Sequence, residues 1–196
     1  MNSKRTLLKA LCGGILYPLV ATANSAVMKV RAGPRAGYFP NVEFVDQHGR
    51  TLRFYDDIIR GRLVVINMMY TVCSGICPAN TANLLSVQQQ LGARVGRDIH
   101  MVSISLQPEM DSPAALKSYA DKYGIGPGWT FLTGKRANME LVRRRLGFYD
   151  TDPIEDAKLS RHTGLVNIGN ERIDRWCMTP SLTVSRQLVK TILDMT

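Results

Sequence analysis

Two cysteines four positions apart, Cys73 and Cys77, with Gly75 between them and Pro78 directly after, are the residues of this chain best equipped for chemistry. They follow Val64-Val65-Ile66-Asn67-Met68-Met69, an apolar run rich in β-branched residues that reads as a buried strand. Proline is tolerated in the first turn of a helix, where its missing N–H would have had no partner, so a helix is expected to begin at Cys77–Pro78. Both sulfurs then lie near a helix N-terminus, whose positive dipole end favours thiolate over thiol. Thiolate attacks disulfides and binds soft metals. The pair is therefore either a redox couple or two thirds of a soft-metal site, and its strand-loop-helix setting argues against two thiols that are close by accident.

A dithiol that only shuttles electrons needs no imidazole, whereas two thiolates and one histidine suit Cu(I). Of the three histidines, His48 falls in a turn composition (Asp46-Gln47-His48-Gly49-Arg50) and His100 at the start of a strand, both structural readings. His162 is the candidate third ligand. It ends a long excursion from Phe148 to Arg161 that has no apolar period, and long loops in compact domains are commonly functional.

The elements that must position these residues alternate. Val42–Val45 and Leu52–Phe54 read as a β-hairpin, and 64–70 as the central strand. Ala79–Leu91 reads as a helix with an apolar stripe, Ile99–Leu106 as a strand, and Asp111-Ser112-Pro113 as the start of a helix to about Tyr123. A strand at Trp129–Leu132 and a helix over Asn138–Leu146 follow, then a hairpin of Gly164–Ile168 with Arg172–Trp176, and a last helix over Leu182–Leu193. The pattern predicts an α/β domain over residues 41–196: a thioredoxin-like fold with a mixed central sheet flanked by helices and an N-terminal β-hairpin. Ligand sites in open α/β sheets lie beyond the carboxyl ends of the strands, where Cys73 and Cys77 fall.

Residues 1–26 have the form of an export signal or N-terminal anchor. Lys4, Arg5 and Lys9 precede an apolar segment from Ala10 to Ala21 and small residues at Ala21-Thr22-Ala23. The segment is shorter than the ~20 residues a membrane-spanning helix needs. Ser3-Lys4-Arg5-Thr6-Leu7-Leu8-Lys9 also resembles a twin-arginine signal with lysine for the first arginine. Cleavage would discard Cys12 and lower the net charge of +9 by three. The expected location is periplasmic or exported, with the inner membrane as anchor if the segment is retained. Residues 27–40, with Gly33, Pro34, Gly37 and Pro40, read as a flexible leader. The basic residues are scattered, the run Arg143-Arg144-Arg145 reads as a solvated helix face, and no nucleic-acid motif accompanies it, which excludes nucleic acid as partner.

Tyr70-Thr71-x-Cys73-x-x-x-Cys77-Pro78, Ser103-Ile104 with Pro108-Glu109-x-Asp111-Ser112-Pro113, Gly128-Trp129-Thr130-Phe131-Leu132-Thr133-Gly134, and His162-Thr163 together resemble the Sco/SenC family of cytochrome oxidase assembly proteins, over about residues 41–175. The resemblance implies a copper-binding thioredoxin-like domain that helps load the dinuclear copper centre of cytochrome c oxidase, with Cys73, Cys77 and His162 as metal ligands. One copper ion per domain is expected, and the implied partner is the oxidase's copper-centre subunit or another copper protein. Three departures stand out. Arg161 replaces the Asp that many members carry before the histidine, which should weaken or retune metal binding by charge repulsion. Ser105-Leu106-Gln107-Pro108 stands where many members have a shorter Asp-Pro segment. Cys177 is an extra thiol, read as a buried small hydrophobe, with intermolecular pairing or a fourth soft ligand as alternatives. The competing enzymatic reading is a thiol–disulfide oxidoreductase that uses Cys73 and Cys77 on the cysteines of a metalloprotein. A peroxide-reducing enzyme is weaker, because Met69-Tyr70-Thr71-Val72 lacks the Pro/Thr-rich approach expected before a peroxidatic cysteine.

Overall fold

The computed structural model describes residues 33–196. The export signal or anchor expected over residues 1–26, and Cys12 within it, lie outside the described residues. Among the described residues no helix is long and apolar enough to cross a membrane.

Seven strands form one sheet: β1 (Glu43–Asp46), β2 (Thr51–Arg53), β3 (Leu63–Met69), β4 (Ile99–Ser105), β5 (Trp129–Gly134), β6 (Leu165–Asn170) and β7 (Arg175–Pro180), in the spatial order 2-1-5-4-3-6-7. Strands β3, β4 and β5 run parallel, while β1, β2, β6 and β7 pair antiparallel with their neighbours. The expected N-terminal hairpin is thus part of the main sheet, through β1 against β5. Five helices complete the fold: α1 (Cys77–Leu91), α2 (Pro113–Lys122), α3 (Arg136–Arg145), the single turn α4 (Pro153–Asp156) and α5 (Ser185–Leu193).

All seven residues of β3 are buried, and their alternation explains the continuous apolar run. Leu63, Val65 and Met69 meet Leu84 and Val87 of α1, Leu116 of α2 and Leu188 of α5 on one face. Val64, Ile66 and Met68 meet Phe54, Met139 and Val142 of α3 and Phe148 on the other. A strand covered on both faces has no polar side to show. The carboxyl ends of β3 and β4 therefore emerge together between two helical layers, and the 70–76 loop leaves from there.

Two expectations are corrected. The supposed leader is packed from residue 33: Phe39 is buried against Phe54 and Trp176, and the carboxylate of Glu171 accepts from the Arg35 and Gly61 amides and the Tyr55 hydroxyl. An aromatic side chain and a satisfied buried carboxylate hold what the prolines and glycines suggested was loose. Arg143 is likewise no solvated side chain. It is 3% exposed, because its guanidinium pairs with Glu140 and Asp156 and caps the Phe148 carbonyl, pinning the 148–157 excursion to α3.

Candidate metal centre

Cys77 is the first residue of α1 and Pro78 the second, and no side chain caps this helix. The Cys73 side chain lies in the loop just before this helix, near the Gly75 and Cys77 amides that favour its thiolate. Both thiols are free, and Cys77 is buried while Cys73 is partly exposed. Their environments push them apart. Burial opposes ionisation of Cys73, but bonds from the Cys77 thiol, the Tyr70 hydroxyl and the two amides outweigh it and lower its pKa. Burial and the neighbouring Cys73 sulfur push Cys77 up to about 12, and the bond to Cys73 raises Tyr70 to about 12 as well. At neutral pH the arrangement is one accessible, thiolate-prone sulfur backed by one buried thiol.

The loop that carries Cys73 is held by Asp111. This carboxylate is fully buried and accepts from the Thr71 amide (3.3 Å), the Thr71 hydroxyl (2.5 Å) and the Ser105 hydroxyl (2.5 Å). Ser112, not Asp111, caps α2, accepting from the Ala115 amide. Ser105, at the end of β4, thus serves the buried acid of the next helix start. Asp111 was legible in sequence only as a helix start, because Asp-Ser-Pro offers two capping residues and only the fold decides which one turns inward.

The 163–164 segment lies against the same site. Asn80, in the first turn of α1, donates to the Thr163 carbonyl (2.6 Å) and accepts from the Ser181 hydroxyl (2.8 Å). The Thr163 hydroxyl donates to the Ser160 carbonyl (3.2 Å), and its nearness opposes the rise in the Cys77 pKa. The backbone next to His162 is therefore docked on the cysteine pair, but the imidazole is not. It is 3% exposed and its Nε2 lies 2.8 Å from the Asp156 carbonyl. A carbonyl only accepts, so Nε2 carries the proton. Arg143 Nη1 stands 3.3 and 3.4 Å from the two ring nitrogens. Among the described residues, no group of three His, Cys, Asp or Glu side chains is placed to hold a metal ion.

The donor set meets a soft cation in part: two sulfurs fit, and the imidazole, as placed, adds no third donor. Cys177, on β7, is partly buried, packs against the apolar cluster of Val65 and Leu84, and is raised in pKa by burial, as expected of a small hydrophobe. His48 sits exposed in its turn. His100 is half-buried, with its pKa lowered by burial. Arg161 pairs with Glu155 (2.6 Å), which neutralises the cation expected to repel a metal.

Residues 34–193 match the sequence model of SCO1/SenC proteins. The chain belongs to the SCO1/SenC family. The SCO1 protein homolog of Bacillus subtilis is 27% identical over 129 residues, 65% of this chain and 64% of that relative. Among solved structures, a SCO1/SenC family lipoprotein from Bacillus anthracis superposes with a TM-score of 0.65 at 20% identity, over 80% of this chain and 94% of the other. Bradyrhizobium japonicum ScoI, solved with copper bound, superposes with a TM-score of 0.60 at 20% identity, over 79% and 96%. These likenesses establish the SCO1/SenC fold for the seven-stranded sheet and its helices.

Proposed function

We propose that this SCO1/SenC protein binds one copper ion as cargo on Cys73 and Cys77, outside the cytoplasm, and delivers it to the dinuclear copper centre of cytochrome c oxidase or to another copper protein. The observation that carries the reading is the sulfur pair itself, at the start of α1, with Cys73 partly exposed and Cys77 buried behind it. Two thiolates at a partly exposed strand end select a thiophilic ion, and a site of few ligands at the surface releases it to a competing set. His162 is the third ligand in this reading, one residue from Thr163, which lies near Cys77. A Cu(I) titration of the reduced protein tests it. One equivalent should bind, and Cys73→Ser with Cys77→Ser should abolish tight binding; retained affinity in that double variant would remove the site.

The same asymmetry supports a second reading, thiol–disulfide exchange with a target protein. The Cys73 thiolate would attack one sulfur of a target disulfide, forming a mixed disulfide and expelling the other target sulfur as thiolate, which takes up a proton. Cys77, losing its own proton, would then attack Cys73 and expel the second target sulfur. The target gains two electrons and two protons, and a Cys73–Cys77 disulfide remains. Oxidation in this way excludes metal, so the two activities are alternatives at one site. His162→Ala separates them, since it should spare exchange and weaken copper binding.

A further inference from the structure

The imidazole expected to face the sulfurs instead lies between a guanidinium and a carbonyl. Arg143 Nη1 is nearly equidistant from both ring nitrogens, and both of its N–H groups are already used, toward the Phe148 carbonyl (2.7 Å) and Asp156 (2.8 Å). An in-plane approach between the nitrogens would drive it into the ring carbon that joins them. Arg143 Nη1 therefore stands out of the ring plane beside the two nitrogens, while Nε2–H is spent on the Asp156 carbonyl with the Asp156 carboxylate 3.6 Å away. Nδ1 keeps its lone pair in this tautomer. The ring is in the form a metal needs, and it is in the wrong place.

The ring is also a guest in this cluster. Arg143 keeps Asp156, Glu140 and the Phe148 carbonyl whether or not the imidazole is there. A cavity of about 370 Å³, lined by Glu140, Arg143, Asp150 and Asp156 among others, opens beside it, so water can reach the groups the ring would leave. Meanwhile the Asn80 bond to the Thr163 carbonyl keeps the neighbouring backbone at the cysteines.

We propose, resting on the copper-binding reading above, that Arg143 and Asp156 are positioning residues that hold His162 off the cysteine pair, so that a thiophilic metal ion meets two sulfurs first and gains the imidazole only when this hold is broken. The hold weakens binding by the fraction of molecules whose ring is free, and loosening it should tighten binding without adding a contact. A hold of this kind makes loading a two-stage event and leaves a released ion two-coordinate at the moment of transfer.

The test uses the full reduced chain and Cu(I) competed against a colorimetric chelator. Arg143→Lys keeps the charge but loses the planar face, and Asp156→Asn keeps the shape but loosens the guanidinium. Each should bind Cu(I) about tenfold more tightly than the parent, and the gain should vanish when His162→Ala is added. Circular dichroism establishes that each variant is folded, since an opened chain would expose its buried thiols to Cu(I). Unchanged or weaker affinity in both folded variants, or a gain that survives His162→Ala, would overturn the proposal. Nitrogen-15 NMR of the metal-free parent, which requires no variant, should show the His162 Nε2–H held in a hydrogen bond, as its contact with the Asp156 carbonyl requires; an Nε2 without a bound proton would equally overturn it. The Cys73→Ser, Cys77→Ser control separates this failure from failure of the copper reading, which alone predicts loss of all tight binding there.

Discussion

After the Cys77 thiol, the neighbour that most favours the Cys73 thiolate is the Tyr70 hydroxyl. Tyr70→Phe removes only that donor, so the thiolate loses a hydrogen bond to a charged group. The Cys73 pKa should rise, read from the pH dependence of alkylation. Cys77 gives the opposite sign. A thiol whose folded pKa is raised contributes stability below the unfolded thiol range and loses it as pH climbs from about 9 toward 12, where the buried group must ionise. The reduced protein should therefore lose urea resistance across that alkaline window, and Cys77→Ala should flatten the loss. Neither residue announces these roles in sequence: the spacing and Pro78 indicate a reactive pair, but which sulfur is exposed depends on how far each sits below the surface.

At the scale of elements, the loop after β3 and the excursion after α3 are each fixed by one buried charged side chain. Asp111→Ala leaves the Thr71 amide and the Thr71 and Ser105 hydroxyls without their acceptor, and unsatisfied buried donors cost ~1–3 kcal/mol each when water cannot replace the partner. A loss of about 3 kcal/mol in urea unfolding is expected, with Asp111→Asn intermediate. The strands and helices around these loops were readable because period-two and helical apolar patterns, with Ser112-Pro113 and the glycines, act locally. The struts were not. Arg143 looked like part of a surface run because charge alone does not reveal that Asp156, thirteen residues on, folds back over it. His162 ends the excursion visible in the sequence, but its ring lies against Arg143 and the Asp156 carbonyl, contacts that no local pattern reveals.

The described domain is built around β3, with a cluster of apolar side chains on each face. If copper is cargo, removing it should leave the fold intact. Circular dichroism of the reduced, metal-free protein should show native secondary structure and a cooperative melt, unlike a domain whose metal supplies its folding free energy. The packed segment before β1 belongs to this unit as well. Relative to a chain that begins at residue 33, one that begins at residue 41 lacks the buried Phe39 ring and the Arg35 amide bond to Glu171, and should be less stable by about 2–3 kcal/mol. Paired urea titrations of the two chains would decide it.

The chain has two tryptophans, and the sheet separates them. Trp129 stacks on Phe131 in one cluster with its indole N–H on Ser103, while Trp176 packs against Phe39 on the other face. Each is thus a built-in optical reporter of a different layer. With Trp129→Phe, the emission of the remaining indole should follow attachment of the N-terminal segment and shift red in a chain that begins at residue 41. With Trp176→Phe, the emission should follow the α1 and α2 side of the sheet alone. Loosening of the tether and melting of the core could then be timed separately by light from a protein that carries no added dye.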